Sequence, residues 1–485
     1  MNASVRRLMT VVALMFLALM AAATATQFIA APSLNADARN VRMIYQEYGR
    51  DRGPIVVAGE PVATSTPVDG VYGYLREYPQ GPLYAHLTGY FAAALSSMTG
   101  LEQAENAVLN GTADSLIVQR IQDLITGAQP QGGSIELTID PRAQEVATEA
   151  LGGQRGAVVA LDARTGAILA MVSTPSFDPN RLATHDAGAA REAYEELLAA
   201  DSDPLINRAI GGDLYAPGSS FKTIVAAALL EGTDGDADTL VPSPAELQLP
   251  QSTHVIRNPG GIACTGEDEA PLRYTFTHSC NTTFAQIAMD LGADELREQA
   301  EAFGFGTSPE IPLRVIASRY PADPDAAQTA MTGIGQFEVA VTPLQMAMVA
   351  QAIANDGEQL EPYLVATQRR ADLQVVARTE PNVLRQSVSP QTAATLTELM
   401  VGVVEEGTGR PAQLPGITVA GKTGSAETGT DSGPHAWFTA FAPAEDPEVA
   451  IAVFVEAGGD DGQSASGGTT AAPIARAVLD SLLNR

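Results

Sequence analysis

Five short runs, nearly all apolar, restrict the folds open to this chain more than any other feature. Two are adjacent, residues 156–161 and 167–172, joined by Asp162-Ala163-Arg164-Thr165-Gly166, a loop whose closing glycine suits a hairpin. Three come much later, at 417–423, 436–441 and 449–456. Strands with no polar face are buried on both sides, and the long stretch between the two groups reads mainly as helix. Strands split between the two ends of a domain, with helices between, predict an α/β fold. Its five-stranded sheet is covered by helices on both faces.

The 485 residues leave room for two or three domains. The strand-rich domain opens with an apolar run at 135–139. A helix follows Asp140-Pro141, with Asp as N-cap and Pro in the first helical position. Pro130-Gln131-Gly132-Gly133 reads as a hinge before it. This divides the chain into a tail (1–7), an apolar segment (8–25), a smaller accessory domain (26–133) and the large domain (134–485). Segment 8–25 carries no charge and follows Arg6 and Arg7. It is long enough to span a bilayer, and the arginines favour a cytoplasmic N-terminus. Ala23-Thr24-Ala25 also resembles a signal-peptidase site, but the run exceeds a usual signal core, which favours an uncleaved anchor. On either reading the rest of the chain lies outside the cytoplasm.

The formal net charge of −29 argues against nucleic acid as a partner, since phosphate recognition needs a concentrated basic surface. Only two of the 28 basic residues are lysines, Lys222 and Lys422. Arginine serves as well as lysine for surface charge, but only a buried lysine can shed its proton and act as a base. Both lysines sit in distinctive surroundings.

Lys222 lies in Ala216-Pro217-Gly218-Ser219-Ser220-Phe221-Lys222-Thr223, before an all-apolar run that reads as a buried helix. With Ser219 at its N-terminus, Ser219 and Lys222 share a face, so a desolvated amine could deprotonate the hydroxyl. Taken alone, the spacing fits equally well an ordinary serine cap with a lysine one turn on. Lys422 lies in Gly421-Lys422-Thr423-Gly424-Ser425, where a cation and hydroxyls beside glycines suit a carboxylate. Residues 416–423 also match the phosphate-loop pattern G-x-x-x-x-G-K-T. The intervening residues are strand formers, however, and no helix follows, so that reading fails. Between the lysines, Ser279-Cys280-Asn281 precedes a helical run. In an extended segment Ser279 and Asn281 would point to one side, although a turn-and-cap cluster has the same composition.

Together, Ser219-x-x-Lys222, Ser279-x-Asn281 and Lys422-Thr423-Gly424 resemble the three motifs of penicillin-binding proteins and serine β-lactamases. Gly421 to Glu427, His435-Ala436-Trp437-Phe438, and Gly333-Ile334-Gly335-Gln336 with Val341-Thr342-Pro343-Leu344-Gln345 are similar to class B penicillin-binding proteins, most of all their actinobacterial branch. Arg52-Gly53-Pro54-Ile55 echoes the family's accessory domain. Cys280 within the second motif, and Ser425 where Thr is common, depart mildly from the pattern.

The resemblance implies a penicillin-binding, β-lactamase-like fold and a peptidoglycan D,D-transpeptidase. Ser219 would form the acyl-enzyme with release of the terminal D-alanine, and Lys222 would be its base. Ser279 and Lys422 would pass the proton onward, Asn281 would hold the substrate amide, and Thr423, Gly424 and Ser425 would line the carboxylate site. The backbone N–H groups of Ser219 and Ser425 would form the oxyanion hole. The implied partners are D-Ala-D-Ala stem peptides, β-lactams as inhibitors, and a membrane-embedded glycan polymerase of the shape and division family. No cofactor or metal is implied. A D,D-carboxypeptidase, a β-lactamase, or a non-catalytic β-lactam receptor are the alternatives. Finally, Cys264 and Cys280 are the only cysteines, and an isolated pair in an oxidising compartment is expected to be bridged.

Overall fold

The computed structural model describes residues 3–29, 48–118, 125–127, 131–233, 235–258, 264–429 and 432–484. The five expected runs form one antiparallel sheet, in the order Ala420–Ala426, His435–Ala442, Val449–Val455, Gly156–Asp162 and Ile168–Thr174. Alternate residues of each strand enter two separate apolar clusters, as the two-residue period of a strand requires. Ala157, Val159, Leu161, Ala452 and Phe454 face the cluster built around helix Pro343–Ala354, which is buried from Pro343 to Ile353. Val158, Ala160, Ile451 and Val453 face helices Pro141–Leu151 and Ala472–Leu483. The sheet is therefore sandwiched, and its apolar, unpatterned strands are explained by burial on both faces.

Local signals held where the chemistry was explicit. Asp140 accepts from the amide of Ala143 at 2.9 Å, with Pro141 opening the helix. Gly166 turns the hairpin with φ +78° and donates to the Asp162 carbonyl. One boundary moved. The run expected as a strand over 417–423 lies partly in a turn, with Gly416 at φ +76° and Leu414 bridged to Ile417. The strand is Ala420–Ala426, because pairing with His435–Ala442 begins at Ala420 opposite Phe441. Pairing overrode the β-branched propensity of residues 417–419.

A second sheet has six strands, in the order Val375–Arg378, Val365–Arg369, Ser134–Leu137, Ile55–Val57, Glu60–Pro67 and Tyr74–Glu77. The run at 135–139 thus lies in the seam between the N-terminal segments and the rest of the chain, parallel to Ile55–Val57. Gly53 is needed at this seam, since a Cβ there would fall 1.8 Å from the Gly133 carbonyl oxygen. Nearby, Glu102 is fully buried between Arg52 (2.8 Å) and Arg76 (2.6 Å), with the Arg52 guanidinium 4.2 Å from the Phe91 ring centre. Pro130 of the expected hinge lies outside the described residues, as do residues 30–47 and 119–124 of the accessory segment. Helix Ala3–Thr24 covers most of the apolar segment, includes Arg6 and Arg7, and is a candidate membrane anchor.

Candidate active site

Pro217 and Gly218 turn the chain into a short 3-10 segment, Gly218–Phe221, that runs directly into helix Lys222–Glu231. Ser219 therefore sits in the turn at the N-terminus of this buried helix, and Phe221 takes the cap position. Gly218 is left-handed (φ +54°) and approaches two other segments closely. A Cβ on it would lie 2.5 Å from the Ser425 carbonyl oxygen, and a Cβ on Gly335 would lie 1.9 Å from the Gly218 carbonyl oxygen. Gly424 meets Ser220 Oγ in the same way, at 2.4 Å. The indole N–H of Trp437 donates to the Ala216 carbonyl at 2.9 Å. The Ser219 turn is thus fixed against the edge strand Ala420–Ala426 at Gly218 and Gly424, against the neighbouring strand through Trp437, and against the 333–336 turn at Gly335, whose carbonyl accepts from Gly218 N–H at 3.0 Å.

Both lysines are fully buried and converge on Ser279. Lys222 Nζ donates to the Ser279 carbonyl (2.7 Å), to Ser279 Oγ (3.3 Å) and to Asn281 Oδ1 (2.8 Å). Lys422 Nζ donates to Ser279 Oγ (2.9 Å) and to the Thr423 carbonyl (3.0 Å). Among the described residues Ser219 Oγ has no hydrogen bond, so the Ser219–Lys222 meeting that the i, i+3 spacing allows is not made here. Apo sites often tighten such contacts only around substrate. Ser279 and Asn281 do converge, but not in the extended segment expected. Ser279 is left-handed (φ +57°), Cys280 is extended, and Asn281 is the first residue of helix Asn281–Leu291. Cys280 is buried and joined to Cys264 in a disulfide, with Cα atoms 5.9 Å apart.

The electrostatics follow from that burial. Desolvation pushes Lys422 down to about 7. Lys222 is driven well below the ordinary lysine range, first by burial and then by the charge of Lys422. Each amine also lies 5.5 Å from an aromatic ring centre, Phe284 for Lys222 and Phe276 for Lys422, and among the described residues neither is paired with a carboxylate. Two like charges around one hydroxyl cannot both persist in an apolar site. One amine is therefore neutral near pH 7, and Ser279 Oγ–H can donate to whichever that is.

Above this floor lies a cleft of about 290 Å3, lined among others by Ser219, Asn281, Arg257, Gln336, Ser425 and Glu427. The hairpin Glu246–Gln248/Val255–Arg257 forms one wall, and Asn281 Nδ2 donates to the Arg257 carbonyl at 3.1 Å. The edge strand forms the other, with Ser425 exposed and its Oγ accepting from Gly467 N–H at 3.2 Å. Thr423 Oγ1 contacts Thr408 Oγ1 at 2.6 Å. Of the eight residues singled out as catalytic or substrate-binding, Ser219, Asn281 and Ser425 line this cleft, Lys222, Ser279 and Lys422 are hydrogen-bonded to one another or to Asn281, and Thr423 and Gly424 lie on the edge strand between Lys422 and Ser425. Thr408 and Arg257 carry no motif in the sequence reading; for Thr408 the signal available is its Gly407-Thr408-Gly409 setting just before the strand.

Comparison with known proteins agrees with this geometry. Residues 156–480 match the penicillin-binding protein transpeptidase domain, and residues 52–135 match the penicillin-binding protein A dimerisation domain. The chain is 46% identical to the peptidoglycan D,D-transpeptidase PbpA of Mycolicibacterium smegmatis, over 100% of this chain and 99% of that protein. Its fold superposes on penicillin-binding protein A of M. tuberculosis, solved as a penicillin G acyl-enzyme, with a TM-score of 0.84. That match has 44% identity and covers 90% of this chain and 100% of the other. PBP2 of Pseudomonas aeruginosa superposes with a TM-score of 0.75 at 30% identity, covering 90% of this chain and 96% of that one. With a transpeptidase match over most of its length and a relative similar from end to end, this chain belongs to the penicillin-binding protein transpeptidase family.

Proposed function

We propose that the chain is a peptidoglycan D,D-transpeptidase and a target of β-lactams, with Ser219 as nucleophile. The observation that carries this reading is the convergence of the only two lysines, both buried, on Ser279 beneath the cleft that Ser219 lines. Neutral Lys222 takes the Ser219 hydroxyl proton as Oγ bonds to the penultimate D-alanine carbonyl carbon. The proton then reaches the leaving amine through Ser279 and Lys422, the C–N bond breaks, and D-alanine departs, leaving an ester on Ser219. A neighbouring stem's amine attacks that ester and restores the hydroxyl. Asn281 holds the substrate amide, while Lys422 and Thr423, with Gly424 and Ser425 beside them, receive the terminal carboxylate. The backbone N–H groups of Ser219 and Ser425 serve as the oxyanion hole. The edge strand supports this arrangement, because its exposed Ser425 lines the cleft together with Ser219.

In the same reading residues 8–25 anchor the chain and residues 134–485 work on the outer side of the membrane. Residues 26–133 offer a surface to a membrane-embedded glycan polymerase. Labelling with a fluorescent penicillin, followed by mapping of the acylated peptide, tests the nucleophile. Label on any residue other than Ser219 overturns the assignment. Donor pentapeptide with an added amine then separates acceptors. An amide product supports transpeptidation, free acid alone marks a carboxypeptidase, and rapid penicillin turnover marks a β-lactamase. A label that forms with no reaction of any peptide marks a receptor.

A further inference from the structure

Thr408 is exposed, yet its backbone is held with unusual care. A Cβ on Gly468 would fall 2.3 Å from the Thr408 carbonyl oxygen, and one on Gly407 would fall 2.3 Å from the Thr277 carbonyl oxygen. Gly409 N–H donates to the Val403 carbonyl at 2.9 Å. The glycines at 407 and 468 let three segments close around this one residue: the end of helix Leu272–Thr277, the end of helix Pro390–Glu405, and the Gly467–Ala471 turn. An exposed threonine needs no such placement for packing. What the placement achieves is the 2.6 Å contact between Thr408 Oγ1 and Thr423 Oγ1, the sole hydrogen bond of either hydroxyl among the described residues.

In a hydroxyl pair one proton is used between the partners and one is left over. If Thr423 donated to Thr408, the Thr423 hydroxyl would offer a carboxylate only lone pairs. If Thr408 donates, Thr423 keeps its proton for an anion, and the first bond polarises the second. Thr423 and Ser425 lie on one side of the strand, and the Ser425 hydroxyl is already held by Gly467 N–H of the turn that clasps Thr408. We infer that Thr408 is a positioning residue of the carboxylate site, donating to Thr423 Oγ1 so that the Thr423 proton points at the terminal carboxylate of the donor peptide or the β-lactam.

This inference rests on the transpeptidase reading, and the test separates the two. The full chain is acylated with penicillin G and with its methyl ester, as wild type, Thr408→Val and Thr408→Ser. Absence of acylation in the wild type is a failure of the function itself. Given acylation, Thr408→Val is expected to slow the reaction with penicillin G about tenfold, the value of one hydrogen bond feeding a charged partner. Thr408→Ser recovers the rate to within about threefold of wild type, since it returns the hydroxyl. On the methyl ester, which has no carboxylate, Thr408→Val and wild type react alike. Equal slowing on acid and ester shows a merely structural role and overturns the inference, as does an unchanged rate on both.

Discussion

Removing the disulfide should damage catalysis as well as stability. The Cys264–Cys280 bridge spans 16 residues, and closing a loop of that size removes about 3 kcal/mol of unfolded-state entropy on the chain-entropy model. Cys264→Ser forfeits that amount globally. The local effect falls on Ser279. Its left-handed backbone costs a non-glycine residue about 1–2 kcal/mol and is held by two hydrogen bonds, Ser279 N–H to Phe276 O and Cys280 N–H to Thr275 O, besides the bridge. Freed of the tether, Ser279 can relax to an unstrained conformation and leave both lysines. A bias of 1–2 kcal/mol reduces the competent population about 5–30-fold. Urea denaturation and second-order acylation by a fluorescent penicillin, run on wild type and Cys264→Ser, measure the two effects. Acylation that stays within twofold of wild type (about 0.4 kcal/mol) while stability drops would refute the argument that the bridge holds Ser279 in register. Two free thiols in the denatured, unreduced wild type would refute the bridge itself.

Lys222→Arg is expected to be nearly as inactive in acylation as Ser219→Ala, because arginine keeps the charge but cannot accept a proton; retained labelling would end the general-base role. The pH profile should be bell-shaped. Acylation climbs as Lys222 loses its proton and falls as Lys422 loses its own near pH 7, so a rate constant still rising at about pH 8 would contradict the assignment of charged Lys422 to the carboxylate. Glu102→Leu should destabilise the chain by about 3–5 kcal/mol in a denaturant titration, since it leaves Arg52 and Arg76 buried without their counter-charge; an unchanged midpoint would show that both arginines reach water.

The chemistry was easier to read than the architecture, for a physical reason. Lysine identity, the i, i+3 spacing of Ser219 and Lys222, and the glycines at 421 and 424 are local features, and so were the apolar runs of the main sheet. The left-handed Ser279 was hidden because a serine carries no mark of positive φ, unlike Gly218 or Gly166. The shift of the edge strand to Ala420–Ala426 was hidden because Gly421, Lys422 and Gly424 are poor strand formers held by a partner strand. The six-stranded sheet was illegible altogether. Its strands are three to eight residues long and come from three distant stretches, so no window of sequence contains two sides of the seam. Thr408 was overlooked because its partner, Thr423, lies 15 residues away, across a turn.

That seam also sets a timetable for folding. Ile55–Val57 and Ser134–Leu137 can pair as soon as both have been synthesised, but the other edge of Ser134–Leu137 waits for Val365–Arg369. At about 5–20 residues per second the ribosome needs some 10–50 s to make the intervening stretch. For that interval a short strand carrying Ile135 and Leu137 has unpaired N–H and C=O groups along one side. A chain that folds as it is made would therefore carry an open sheet edge over that interval, and it is there, before the catalytic sheet exists, that misassembly would compete with folding.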